Sequence, residues 1–257
     1  MKRSLVVASA GLLLWAAGGC NLIDSNGLHI GYSFDAQHYT EKVGDPGAGT
    51  LPSVACSTGA MPDPCAATQT ALPASYAKDT KVSCDGASGK CVASTTVRLP
   101  QLIDLRSAQT ALPADAVSFG ISAVAIDRIA YWVAAGGNTL NVATPPFDLY
   151  VAAQAAMDEH DASAVKLGSV AALPAGSDAC GDTVDPKGDG TAGAQRVCDV
   201  PLTTAGQAAL EGYIKNYKTA PFNLIVAATI SAKAGEPIPA GMLDFFVRPS
   251  VTLSILK

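Results

Sequence analysis

"MLDFFVRPSVTLSIL", residues 242–256, is the stretch from which the fold is read. Phe245, Val247, Val251, Leu253 and Ile255 fall on one side of a two-residue alternation, and Arg248, Ser250, Thr252 and Ser254 on the other. That period belongs to a strand with one face buried and one solvated, the pattern of antiparallel sheets. Pro249 removes a ladder donor, so the strand is expected at a sheet edge or bulged there. Upstream, "STTVRLPQLIDL" (94–105) reads as a strand, and "AVSFGISAVAIDRIAYWVA" (116–134) holds two short apolar runs. "NTLNVATPPFDLYVA" (138–152), "VKLGSVAAL" (165–173) and "PFNLIVAATISAKA" (221–234) complete the set. In the second of these, Trp132 is opposite in phase to Tyr131, so one of the two faces outward. Short strands separated by Gly, Pro and Asn predict a mainly β chain, an antiparallel β-sandwich.

One short helix interrupts the strands. "LTTAGQAALEGYIKNY" (202–217) opens on Thr203 or Thr204 as N-cap. Leu210, Tyr213, Ile214 and Tyr217 form an apolar stripe, and Glu211 stands four residues before Lys215, the spacing of a helical ion pair.

At the other end, Lys2 and Arg3 precede an uncharged run from Leu5 to Ala17, then Gly18, Gly19 and Cys20. This is the layout of a secretory signal peptide, and the run falls short of the roughly 20 residues that cross a bilayer. "AGGC" resembles the lipobox of bacterial lipoproteins, in which the cysteine is acylated and becomes the first residue of the mature chain. The resemblance implies a leader over 1–19, a palmitate-type anchor on Cys20 and, since Asn21 is not Asp, residence at the outer membrane, facing the periplasm or the cell surface. The alternative is a plain leader cut near Cys20 that releases the chain.

The remaining six cysteines, Cys56, Cys65, Cys84, Cys91, Cys180 and Cys198, are even in number, and with export they predict disulfides. Adjacency favours Cys56–Cys65, Cys84–Cys91 and Cys180–Cys198, with "CDGASGKC" (84–91) as a hairpin tip closed by its own bridge. No pair has the C-x-x-C spacing typical of zinc. The chain thus divides into a signal peptide (1–19), a lipidated tether with one possible strand in "GLHIGYSF" (20–53), a disulfide-rich, loop-rich region (54–93) and the sandwich (94–257). Within the third, residues 66–78 allow a helical turn or two before Pro73 interrupts.

The chain carries 17 Lys and Arg against 22 Asp and Glu, a net charge of −5. An acidic chain without a basic cluster is a poor match for nucleic acid, whose binding rests on phosphate neutralisation.

"GGNTLNVATPPFDLYV", "KLGSVAALPAGS", "VPLTTAGQAALEGYI" and "PFNLIVAATI", in that order, resemble the late-embryogenesis-abundant type 2 domain over residues 117–255. The resemblance implies a small fibronectin-like sandwich with no catalytic residues. The chain departs from that pattern at Gly137-Asn138-Thr139, where the family has Asn-Pro-Asn, and in the inserted 180–198 segment.

Chemistry-bearing clusters are few. His29, Asp35, His38 and Glu41 lie close in sequence, but a tether lacks the fixed geometry and supporting contacts a metal needs. "MDEHDA" (157–162), with His160, reads as a charged turn. Asp182, Asp185 and Asp189 are the calcium candidates, although their spacing departs from the D-x-[DN]-x-[DN]-G loop. No nucleophile elbow, zincin or phosphate-loop motif occurs. The expectation is a cell-envelope binding or structural module that is not an enzyme and needs no cofactor, held to the membrane by its lipid and working on an envelope protein. A lipid or small-ligand carrier, or a hydrolase with a site assembled from distant residues, is the alternative.

Overall fold

The computed structural model describes residues 23–24, 27–45, 49–72, 80–105, 121–178, 183–185, 195–218 and 221–255. Its strands are β1 (Ile23–Asp24), β2 (Gly27–Ser33), β3 (Gln37–Gly44), β4 (Thr80–Asp85), β5 (Lys90–Ile103), β6 (Ile121–Asn138), β7 (Phe147–Ala153), β8 (Val165–Val170), β9 (Thr183–Asp185), β10 (Gln195–Asp199), β11 (Phe222–Ala232) and β12 (Gly241–Ile255). Helices α1 (Ala66–Ala71) and α2 (Thr204–Lys215) are the two among the described residues. Two antiparallel sheets result: a seven-stranded one ordered β1-β2-β12-β6-β10-β9, with β3 also on β12, and a five-stranded one ordered β4-β5-β11-β7-β8.

The alternation in 242–256 is what builds the core. Phe245, Val247, Val251 and Leu253 point inward from β12 and meet Leu149 and Val151 of β7 and Leu224 and Val226 of β11, all buried in one cluster. Each such side chain contributes about 1.5–3 kcal/mol on leaving water.

Two expectations change. The β12 strand is central, not at an edge: β6 lines one side, while β3 pairs residues 241–247 and β2 pairs 250–255 on the other. Pro249 is tolerated because its carbonyl accepts from Phe34 N (3.0 Å), so its nitrogen faces the link between β2 and β3, where no ladder acceptor is left wanting. The bulge falls one residue on, between Ser250 and Val251, on the β6 side. The second change is that residues 121–138 form one long strand instead of two runs, following β12 through three register shifts. Residues 27–44 supply β2 and β3 to the same sheet.

Two of the adjacent pairings, Cys56–Cys65 and Cys84–Cys91, are replaced by Cys56–Cys84 and Cys65–Cys91. Cys84 and Cys91 do stand opposite each other in the β4–β5 hairpin. Short loop length would have favoured joining them, but segment 51–72 lies against the hairpin and brings its own two cysteines to that place. Gln69 on α1 fastens the segment by donating to Thr80 O (2.9 Å) and accepting from Val82 N (2.6 Å), which also covers the open edge of β4. Cys56 N donates to Gly89 O and Cys91 N to Val54 O, so residues 54–56 run beside the start of β5. Leu51, Cys65, Leu72, Val82, Cys91 and Ile238 close into a second, smaller core. Cys198 is disulfide-bonded, and Cys180 lies outside the described residues.

Helix α2 packs between the edges of β6 and β8. Thr203 is its N-cap: its hydroxyl accepts from Gly206 N (2.9 Å) and donates to Lys166 O (2.6 Å). Leu210, Ile214 and Tyr217 are buried, and Tyr213 stacks on Phe222. The Glu211 carboxylate accepts from Gln207 Nε2 (3.0 Å) and from Ile126 N (3.4 Å), and so reaches β6. The helix lies so close to β8 that a Cβ on Gly206 would sit 2.4 Å from Lys166 O and 2.5 Å from Leu167 Cα. Gly206→Ala is therefore expected to destabilise by about 1–3 kcal/mol in urea denaturation, although alanine is the better helix former. A stabilised variant would show that the helix can stand further off.

Candidate functional site

The outer face of the seven-stranded sheet changes character along its length. Toward the end of β12 it carries Ser250, Thr252 and Ser254, which bond to Ser33, Asp127 and His29. Short hydroxyl side chains of this kind are what a solvated sheet face needs. At the other end the register sets His38 on β3, Phe246 on β12 and Trp132 on β6 in one row. His38 stacks on Phe246 with ring centroids 4.5 Å apart, and Phe246 stacks on Trp132 at 5.3 Å. His38 also bonds to Asp244, which accepts from Thr40 Oγ1 at 3.1 Å. Trp132, Ala130 and Val197 form a small apolar cluster there with Ala36 and Phe246, and Trp132 is only 2% exposed.

Two arginines adjoin this row. Arg248 lies opposite Ala130, and its guanidinium sits 5.3 Å from the Trp132 ring centroid. Arg128 pairs with Ser250, which places the two arginines as diagonal neighbours on the same face, roughly 7–8 Å apart at the backbone. Burial, and then the positive charge of Arg128, lower the Arg248 pKa. Asp199, opposite Ala130 on β10, brings Oδ1 to 2.8 Å from Arg128 Nη2. That contact is an ion pair by distance but is not aligned as a hydrogen bond: Arg128 Nε and Nη2 are both buried without an acceptor. Trp132 Nε1 is likewise buried without a partner. These donors, two of them on a cation, leave hydrogen-bonding capacity unused beneath this face.

The outer face of the five-stranded sheet is different, because its charges are matched. Arg98 grips Glu159 with two bonds (2.7 and 2.9 Å). Asp148 accepts from Ser169 Oγ (2.7 Å) and Tyr150 (3.4 Å) and pairs with Lys166 (2.8 Å). For Asp148, burial pushes the pKa up, but the bonds from Lys166 and Ser169 outweigh it and the net shift is downward. The bond from Arg98 lowers that of Glu159. Carboxylates so satisfied hold structure and make poor bases. Their depressed pKa values make them stabilising above the unfolded values near 4, a contribution lost as pH falls through the folded ones. Thermal melts from pH 7 to pH 3 are expected to drop on the acid side, and Asp148→Asn to lower the neutral plateau and flatten that drop. Parallel curves for variant and parent would contradict this role.

Between the sheets an apolar cleft is lined by Val43, Val97, Leu140, Phe147, Leu243 and Phe245, among others. Its cavity volume is only ≈ 30 Å³, which bounds an occupant. One or two waters would fill it, whereas ligand pockets run to about 300–1,000 Å³.

The residues singled out from sequence are scattered. His29 and His38 pair with Ser254 and Phe246, eight residues apart on β12 and so about 27 Å apart, and form no common metal site. His160 lies beside Glu159 in the Arg98 network. Asp185 ends β9, while Asp182 and Asp189 lie outside the described residues, as does Cys20. The sulfurs of Cys56, Cys65 and Cys91 come within 4.8 Å of one another, but as parts of two disulfides. Sequence reading passed over Arg128, Arg248 and Phe246. The available signal was an arginine set into each of two apolar strands on the phase of Trp132 and Phe246. No family model, curated protein or solved structure matches the chain.

Proposed function

We propose that the chain is an exported, lipid-anchored binding module of the cell envelope, held to the outer membrane through Cys20 and acting without catalysis through the outer face of its seven-stranded sheet. The observation that carries the binding role is the placement of Phe246, Trp132, Arg248 and Arg128 on that face, in contrast to Ser250, Thr252 and Ser254 toward the end of β12. Arginine and aromatic residues are enriched where proteins recognise partners. Cys56–Cys84 and Cys65–Cys91 support export, since such bridges persist in oxidising compartments. The lipobox-like "AGGC" supports the anchor, and the resemblance of residues 117–255 to a family without catalytic residues supports a non-enzymatic role. The inter-sheet cleft of ≈ 30 Å³ is too small for an acyl chain, so the carrier alternative would have to use the more open pocket of ≈ 410 Å³ lined by Tyr131, Val170, Val197 and Asp199.

Mass spectrometry of the chain from its native envelope tests the anchor: residues 1–19 absent and acyl mass on Cys20 are expected, and an intact leader would overturn it. For the binding face, cross-linking in intact envelopes is expected to give a product that Phe246→Ala removes and Thr252→Ala leaves intact. Identical products from all three chains would remove the face from the account.

A further inference from the structure

We propose that the guanidinium of Arg128 is the seat of an oxyanion site of phosphate type, with Asp199 as the carboxylate that the anion displaces. This rests on the binding role of the face and names the ligand chemistry there. Nε and Nη2 form the side-on edge of a guanidinium, the edge that takes two oxygens of one anion at once. In this protein both atoms of that edge are buried and have no hydrogen-bond acceptor. A buried donor without an acceptor is costly, more so when charged, so the edge gains from any oxyanion that aligns with it. Arg248 adds a second positive charge across the same stretch of strand, in a chain of net charge −5. Ala130, opposite both Arg248 and Asp199 and two residues along the strand from Arg128, is fully buried.

Asp199 is the resident competitor. Its Oδ1 reaches Nη2 at 2.8 Å without hydrogen-bond alignment, and its side chain is 61% exposed. A carboxylate held so loosely leaves the fork at little packing cost. Displacement then exchanges one misaligned contact for two aligned bonds. Trp132, stacked against Arg248, has its own Nε1 donor buried without a partner and is a reporter close to the event.

The test is a titration of the ¹⁵N-labelled full chain with inorganic phosphate, followed at the Arg Nε–H and Trp132 indole signals. Saturable shifts of both are expected. Arg128→Lys keeps the charge but loses the fork and is expected to weaken binding at least tenfold, roughly the loss of one charge-assisted bond. Asp199→Asn is expected to bind several-fold more tightly. Vesicles of anionic phospholipid distinguish the source: co-sedimentation that free phosphate suppresses assigns the site to lipid headgroups, and free-phosphate binding alone assigns it to a soluble anion. The proposal is overturned if the shifts do not saturate, if Arg128→Lys titrates like the parent, or if Asp199→Asn binds no better. Those failures leave the binding module intact as long as Phe246→Ala still abolishes the cross-linked product, so the two readings fall separately.

Discussion

Replacing Cys65 and Cys91 together by alanine is expected to lower the free energy of unfolding by about 3.5 kcal/mol, the loop-closure value for a bridge of this span. The two cysteines are 26 residues apart, and both are fully buried in the smaller core with Leu51 and Ile238. The bridge ties the start of α1 to the start of β5, so its loss frees segment 51–72 from the hairpin it covers. Cys56–Cys84 remains in the variant and closes a loop of 28 residues, which keeps the chain partly restrained. Guanidinium denaturation of parent and variant under oxidising conditions gives the difference directly. A loss below about 1 kcal/mol would mean that packing and Gln69, and not the bridge, hold the segment. The connectivity itself is checked by digestion without reduction: peptides containing Cys56 and Cys84 should emerge linked. Recovery of a linked Cys84–Cys91 peptide would refute it.

Phe245→Ala is expected to cost about 3–5 kcal/mol, the range for removing a buried phenyl ring. Phe245 is 1% exposed, stacks on Tyr39 at 5.1 Å and meets Phe147 edge-on at 5.5 Å. It joins the two sheets through these contacts, and β12 cannot shift to refill the space because β3 and β6 hold it on both sides. The ring also lines the inter-sheet cleft. Its removal is therefore expected to turn a space for a water into one for a small apolar molecule, as apolar cavities remain dry and accept such guests. Benzene should raise the melting temperature of Phe245→Ala and leave the parent unchanged. A loss of less than about 1.5 kcal/mol would show that the sheets collapse onto the gap.

The fold class was legible because it depends on period alone. Alternating Phe, Val, Leu and Ile in 242–256 requires one face buried, and Thr203 followed by Leu210 and Ile214 requires a capped helix with an inward stripe. Both patterns are local, and the physics that reads them is local too. Pro249 shows where this ends: sequence predicts a missing donor, but only the crossing of β2 to β3 at Phe34 decides that nothing there needed one.

Cysteine pairing and the cationic face lie beyond that limit for the same reason. Adjacent cysteines close the cheapest loops in an isolated chain, yet Cys56–Cys84 and Cys65–Cys91 join residues 28 and 26 apart because a folded segment carries them together. Arg128 and Arg248 are 120 positions apart and become neighbours only through the register of β6 on β12. The sequence by itself determined which segments become strands and which of their faces turn inward, since burial of apolar area acts on each strand separately. Which strands lie side by side, and so which charges and sulfurs meet, was decided by the tertiary structure, because register is a property of pairs.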